Sequence, residues 1–358
     1  MNINDYIYYY GEYTFKEKPF NEIDNVIFSL ISYVDFNGIL SKNKQNKLTL
    51  ENASNIYFLT HSKKMNDINI LAIRKGIEVL KNACKSKRFK DVLMYNYCYI
   101  GNESSQFSAL TFEFLKNYCY VAFEGTDQLI SGWKEDMMMS CTFPVDAHKY
   151  AIKYLNKFFN YSSKKLIVGG HSKGGNLAEV SSMYCKNNIK KRIINIYSND
   201  GQGLRKKELL SKQYKSIENR FIHIIPSNSV VGLLLRHSGN YLVIKANAKG
   251  LLSHDATTWE VNYDKFTKDK LTKFSKVLDE GVITWLDKYD DKQREIFIDC
   301  LFEVLEKNNI KTLIDIKKNK NLIFKIMKSS KDLNPIVKEM FIELLKVINE
   351  TNKEYYLF

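Results

Sequence analysis

No uncharged apolar stretch in this sequence is long enough to cross a bilayer. The amino terminus, Met1-Asn2-Ile3-Asn4-Asp5-Tyr6, lacks the basic start and apolar run of a secretory leader. A soluble protein of the cytoplasm is the expectation from both absences. CxxC spacing is missing as well. The six cysteines, Cys84, Cys98, Cys119, Cys141, Cys185 and Cys300, are scattered, several inside apolar runs where a thiol behaves as a small hydrophobe. This argues against a disulfide framework and against a zinc site, and it suits a reducing compartment. No metal or organic cofactor is implied. Proline is scarce, with four residues, whereas Lys, Asn, Ile and Tyr are abundant, the bias of an A- and T-rich, bacterial genome.

Acidic residues are outnumbered, leaving a net charge of +14 that would attract polyanions. A basic stripe interleaved with aromatic residues is absent, and so is any recognition-helix or zinc-finger motif. The basic clusters Lys63-Lys64, Lys190-Lys191-Arg192 and Lys317-Lys318 are short and fall at the ends of predicted elements. Nucleic acid is therefore not an expected partner. Weak contact with an anionic membrane surface stays open, and no protein partner can be named.

What is present is enough apolar and aromatic residue, 44% and 13% of 358 positions, for a folded globule with a sizeable core. The first 90 residues read as an aromatic-rich opening and helices. Ile23, Val26, Ile27, Leu30 and Ile31 share one helical face, and a second pattern runs from Ile68 to Cys84. From Tyr95 to about Ala248 strands alternate with helices. Phe107–Phe114 and Asn117–Phe123 read as a hairpin, Ala147–Phe159 as an amphipathic helix, and Leu166–Gly170 as a buried parallel strand. A helix over about Gly174–Asn187 follows, then strands Ile193–Ser198 and Phe221–Ile225 around a helix near Leu204–Lys215, then a strand Tyr241–Ala246. This alternation predicts an α/β fold, a mostly parallel sheet with helices on both faces, over residues 1–265. Residues 266–358 read as a carboxy-terminal helical extension, with Ile296, Cys300, Leu301, Val304 and Leu305 at helical spacing. No internal repeat or low-complexity linker interrupts the chain.

Gly170-His171-Ser172-Lys173-Gly174 fits G-x-S-x-G, the nucleophile elbow of α/β-hydrolases. Such a serine sits on a tight strand-to-helix turn where neighbouring backbone leaves no room for side chains, hence the glycines. The context agrees: an apolar strand runs in, and a helix carrying Leu177, Ala178 and Val180 runs out.

These residues carry a resemblance. His171-Ser172-Lys173-Gly174-Gly175-Asn176-Leu177-Ala178 resembles the G-H-S-L-G-G-x-L-A segment of class 3 (fungal-type) lipases. Phe123-Glu124-Gly125-Thr126, followed by Trp133 and Asp136, resembles their F-R-G-T…W…D segment. A bacterial, lipase-3-like branch of uncharacterised proteins is more similar still. It shares Tyr10-Gly11-Glu12-Tyr13-Thr14-Phe15, Phe20-Asn21-Glu22-Ile23-Asp24-Asn25, the elbow, Asp200-Gly201-Gln202-Gly203, and His254-Asp255 with Trp259. The resemblance spans about residues 5–305 and implies an α/β-hydrolase that cleaves an acyl ester or lipid substrate. It also implies that Thr126 supplies an oxyanion-hole donor.

A serine needs a histidine to take its proton and an acid to orient that histidine, in the chain order Ser, acid, His. Order removes His61 and His148, His171 adjoins the nucleophile, and His223 lies in a predicted strand. His237 and His254 remain, and His254, in a loop after the last strand, is favoured. Between Ser172 and His254 the carboxylates are Glu179, Asp200, Glu208 and Glu218. Only Asp200 follows directly on a strand, and it is the expected acid. The true lipases carry theirs one strand later, where Ile225–Gly232 has no carboxylate. Either the acid has moved one strand earlier, or Asp200 only shapes its turn and the site is degenerate. The backbone N–H of Lys173 is the second expected oxyanion donor, and its side chain either leaves a charge near the site or turns outward. Two apolar segments, Leu129-Ile130 with Trp133 and Met137-Met138-Met139, and Val230 to Leu235, either form a lid or pack against the fold. The expected activity is that of a serine carboxylic ester hydrolase of lipase or esterase type. The alternative is a non-catalytic hydrolase fold that binds lipid or a protein.

Overall fold

The apolar runs of the central region build one eight-stranded sheet, seen here in a computed structural model. It describes residues 1–40, 46–61, 70–101, 105–126, 130–238, 241–310, 312, 315 and 335–352. The strands are β1 (Leu48–Thr49), β2 (Leu93–Gly101), β3 (Gln106–Leu115), β4 (Tyr118–Phe123), β5 (Lys165–His171), β6 (Ile193–Asn199), β7 (Phe221–Pro226) and β8 (Tyr241–Ile244), lying side by side in chain order. Pairings from β1 to β4 are antiparallel and those from β4 to β8 parallel. Parallel neighbours need a crossover. Helix α6 (Asp146–Phe159) crosses from β4 to β5, and α7 (Lys173–Tyr184) from β5 to β6.

The pleat sorts the core into two layers. Along β4, Tyr120 and Ala122 face one layer with α1 (Ile3–Tyr10), α2 (Glu22–Ile31) and α4 (Leu71–Ala83). Cys119, Val121 and Phe123 face the other, with α6 and α7. Helices thus cover both faces of the sheet, the α/β-hydrolase arrangement. In β5 every residue after Lys165 is buried, as its continuous apolar run requires. A third cluster joins α11 (Lys273–Lys288), α12 (Asp291–Lys307) and α13 (Pro335–Asn352), and Trp133, Met137 and Met138 of α5 (Ile130–Met138) pack against it.

Some expectations need correction. The helix expected near Leu204–Lys215 is broken. After the one-turn α8 (Asn187–Lys190), the chain forms two further single turns, α9 (Lys206–Leu209) and α10 (Lys212–Lys215). Leu204 is taken by a β-bridge to Arg236, and Ser211 starts α10 by accepting the Tyr214 N–H. The opening holds more helix than its one apolar face suggested, namely α1 and α3 (Leu50–His61). For α1 the signal is a capping box: Asn2 accepts from the amides of Asn4 and Asp5, and Asp5 returns a bond to Asn2. The expected start of the second helix, at Ile68, lies outside the described residues.

The motif residues near the amino terminus hold the opening against the sheet. Asn21 and Asp24 form the capping box of α2, and Asp24 is also paired with Arg88, both side chains fully buried. Arg88 donates further to the carbonyls of Tyr13, Lys18 and Pro19.

Candidate active site

Ser172 is placed by the end of β5 and the start of α7. Its φ of 59° is a left-handed conformation that a serine adopts only under constraint. The turn is held by a bond from Ser172 N to the Asn199 carbonyl and by close backbone approach. A Cβ on Gly174 would stand 2.0 Å from the Phe123 carbonyl oxygen, so no other residue fits there. Asn199 is locked beneath by its side-chain amide, which donates to Asn25, Ser29 and the Gly170 carbonyl. Asn25 of the Phe20–Asn25 motif thus reaches the elbow.

Strand register places His171 opposite Asn199, so Asp200 begins beside the serine. Asp200 is fully buried, with φ of 48°. Its Oδ1 accepts from the Ser229 hydroxyl at 2.5 Å and from Gly232 N at 3.1 Å, and its Oδ2 lies 2.6 Å from His254 Nδ1. The structure therefore brings together the strand of Ser172, Asp200 and the distant His254. Among the described residues His254 bonds Asp200 through Nδ1 and forms no bond to Ser172; a serine–histidine bond often tightens only with substrate present. His237, the other histidine left open, faces His223 instead.

His171 positions the His254 segment. Its Nε2 lies 2.8 Å from the His254 carbonyl oxygen, which can only accept, so Nε2 carries the proton. Nδ1 then accepts from the Tyr33 hydroxyl at 3.0 Å. Burial pushes the His171 ring down to about 3, which keeps it neutral and fixed in that tautomer. The two imidazoles lie 4.4 Å apart, centre to centre. The turn beyond is fastened by the Trp259 indole, which donates to the Ser253 carbonyl, and by Asp255, which caps the Thr257 amide. Those contacts are the local reason for His254-Asp255 and Trp259.

Thr126 follows β4, across from the start of α7. Its hydroxyl donates to Asp136 Oδ2 at 2.6 Å. Lys173 is the first residue of α7, so its N–H has no carbonyl one turn earlier to meet. Its side chain does not turn outward. It runs inward, fully buried, to the Gln106 carbonyl at 3.0 Å and to Glu135 Oε2 at 3.3 Å, with Asp136 Oδ1 at 4.0 Å. Burial pushes the Asp136 carboxyl up to about 6, against the opposing pull of Lys173 and the Thr126 hydroxyl.

Among the described residues, neither apolar segment stands over the site as an exposed flap. Trp133, Met137 and Met138 pack against the carboxy-terminal helices, Met139 is buried, and Leu129 lies outside the described residues. Val231, Gly232 and Leu233 are buried and deliver the Gly232 amide to Asp200. Sequence reasoning missed Ser229, Gly232, Tyr33 and the positioning role of His171. It also missed Asn176, which ties the Gly203 carbonyl at 2.7 Å and is held by His148. Of these, His171 and Asn176 left a signal, as parts of the elbow motif.

A family model described as Mbeg1-like matches residues 83–303. The chain is similar to the crystal structure of M37 lipase, at 16% identity over 72% of this chain and 78% of that one, with a TM-score of 0.33. It is also similar to a fungal lipase–inhibitor complex, at 13% identity over 62% and 79% of the chains, with a TM-score of 0.30. No curated protein matches.

Proposed function

This chain belongs to the Mbeg1-like family, and we propose that it is a serine hydrolase that cleaves acyl esters of lipid type through an acyl-enzyme. Ser172 is the nucleophile, His254 the base and Asp200 the acid. The observation that carries this reading is the 2.6 Å contact between His254 Nδ1 and Asp200 Oδ2 beside a left-handed Ser172. Asp200 is saturated by Ser229 and Gly232 on its other oxygen, so it faces His254 as an oriented acceptor. That fixes the proton on Nδ1 and leaves Nε2 free to act as base.

In the reaction Ser172 Oγ adds to the ester carbonyl while His254 takes its proton. The carbonyl oxygen becomes an oxyanion that the Lys173 and Thr126 amides face. Collapse expels the alcohol, which receives the proton from His254. Water, activated by the same ring, then frees the acid and restores Ser172. While Asp136 is ionised the Thr126 hydroxyl is committed to it, so Thr126 acts mainly through its backbone. Ser172 and the His254 ring keep some exposure whereas Asp200 has none, as a site entered by substrate requires. Weak contact with an anionic membrane surface rests on the net charge alone and predicts salt-sensitive vesicle binding that survives Ser172→Ala.

The test is intact-mass analysis after a fluorophosphonate probe. A single adduct on wild type, absent from Ser172→Ala and His254→Ala, supports the reading. No adduct, even in mild detergent, would leave a hydrolase frame that only binds.

A further inference from the structure

A second cluster of chemistry-bearing side chains lies outside this site. Glu179 stands on α7, about two turns beyond Ser172. His223 is in the middle of β7, and His237 precedes β8. Glu179 and His223 are buried, at 1% and 3% exposure, and His237 is half-buried. One nitrogen or oxygen from each lies within 4.8 Å of the others. His237 Nδ1 is 3.3 Å from His223 Nδ1, and Glu179 Oε1 is 3.2 Å from that same nitrogen.

Hydrogen bonding alone does not satisfy this arrangement. Two imidazole nitrogens facing each other form one bond at most, with one ring donating. Glu179 Oε1, close as it is, has no hydrogen-bond partner among the described residues. A buried carboxylate is costly unless it is paired or coordinates a metal. The separations fit the second option. Two ligands at ~2.0–2.1 Å on a tetrahedral ion stand about 3.3 Å apart, each lone pair aimed at the ion rather than at the other ligand. That accounts for a carboxylate oxygen at 3.2 Å from a ring nitrogen yet outside bonding angle. Two imidazoles and one carboxylate are donors suited to zinc and its first-row neighbours.

We propose that Glu179, His223 and His237 bind one divalent metal ion of zinc type. The ion is structural. It ties the helix that starts at the nucleophile to β7 and to the 229–238 segment, whose Gly232 amide holds Asp200. The ligands come from a helix, a strand and a loop far apart in sequence, so no spacing pattern announces them.

The test uses the full chain, stripped with chelator and dialysed against Zn²⁺, with metal per chain measured by plasma mass spectrometry. One zinc per chain is expected in wild type, Ser172→Ala and His254→Ala. His237→Ala and Glu179→Gln should retain less than a tenth, with circular dichroism checking that they fold. Co²⁺ in wild type should give the intense visible absorption of a tetrahedral site with nitrogen ligands, a readout that needs no variant. No stoichiometric zinc on wild type, unchanged zinc in folded His237→Ala and Glu179→Gln, or loss of zinc in His254→Ala would each overturn the proposal. Serine labelling with the fluorophosphonate probe is read separately, so failure of either proposal leaves the other standing.

Discussion

Asp200 does more than end a strand. Its two oxygens divide their work, one taking Ser229 and Gly232 and the other His254. Asp200→Asn keeps the shape but offers His254 an ambiguous partner that no longer selects its tautomer. Ester turnover should fall by about three to four orders of magnitude while the fold survives, checked by initial rates beside circular dichroism. Full activity in Asp200→Asn would remove it as the acid. Asp136 makes a different prediction. Its folded pKa of about 6 lies above the ordinary 3.8. Between those values the folded chain keeps a proton that the unfolded chain has released, so this group makes stability fall as pH rises through about 4 to 6. Asp136→Asn stays neutral and should flatten that fall, as read from urea unfolding of both proteins across the window.

Helix α7 shows how one element serves several tasks. Its first residue offers an amide to the site while its side chain forms a buried pair with Glu135 of α5. Lys173→Leu, which installs the residue of the similar lipase motif, leaves Glu135 buried without its cation. The expected loss is about 3–5 kcal/mol, measured by denaturant unfolding. The double variant Lys173→Leu/Glu135→Leu should recover part of it, because the stranded charge is gone. Recovery stays incomplete, since the Ala147 amide still loses its acceptor. A double variant no better than the single would show that packing, not charge, governs this contact.

For the whole molecule, the carboxy-terminal helices support the site from behind. The Thr272 amide and the Ser275 hydroxyl, at the start of α11, bond the Ser227 carbonyl, and Ser275 also bonds that of Ser229. Ser229 in turn holds Asp200. Truncation after residue 265 should uncover Trp133, Met137 and Met138 and loosen that chain of bonds. We expect a lower Tm, more binding of a hydrophobic dye, and loss of ester turnover. Undiminished turnover in the truncated chain would make these helices dispensable to the chemistry.

The strands from β3 to β8, the helices that cross between β4 and β6, the elbow at Ser172 and the pairing of Asp200 with His254 were legible from sequence. They rest on local signals: apolar runs of strand length, glycines where backbone crowds, and an acid directly after a strand. The capping box of α1 is local too, Asn2 and Asp5 standing three residues apart. What the sequence could not carry was everything fixed by contact between distant segments. The inward turn of Lys173, the hold of His171 on the His254 carbonyl, the grip of Ser229 and Gly232 on Asp200, and the meeting of Glu179 with two histidines are of this kind. A residue type states which bonds a side chain can make, and only the packing of strands and helices decides which partners come within reach.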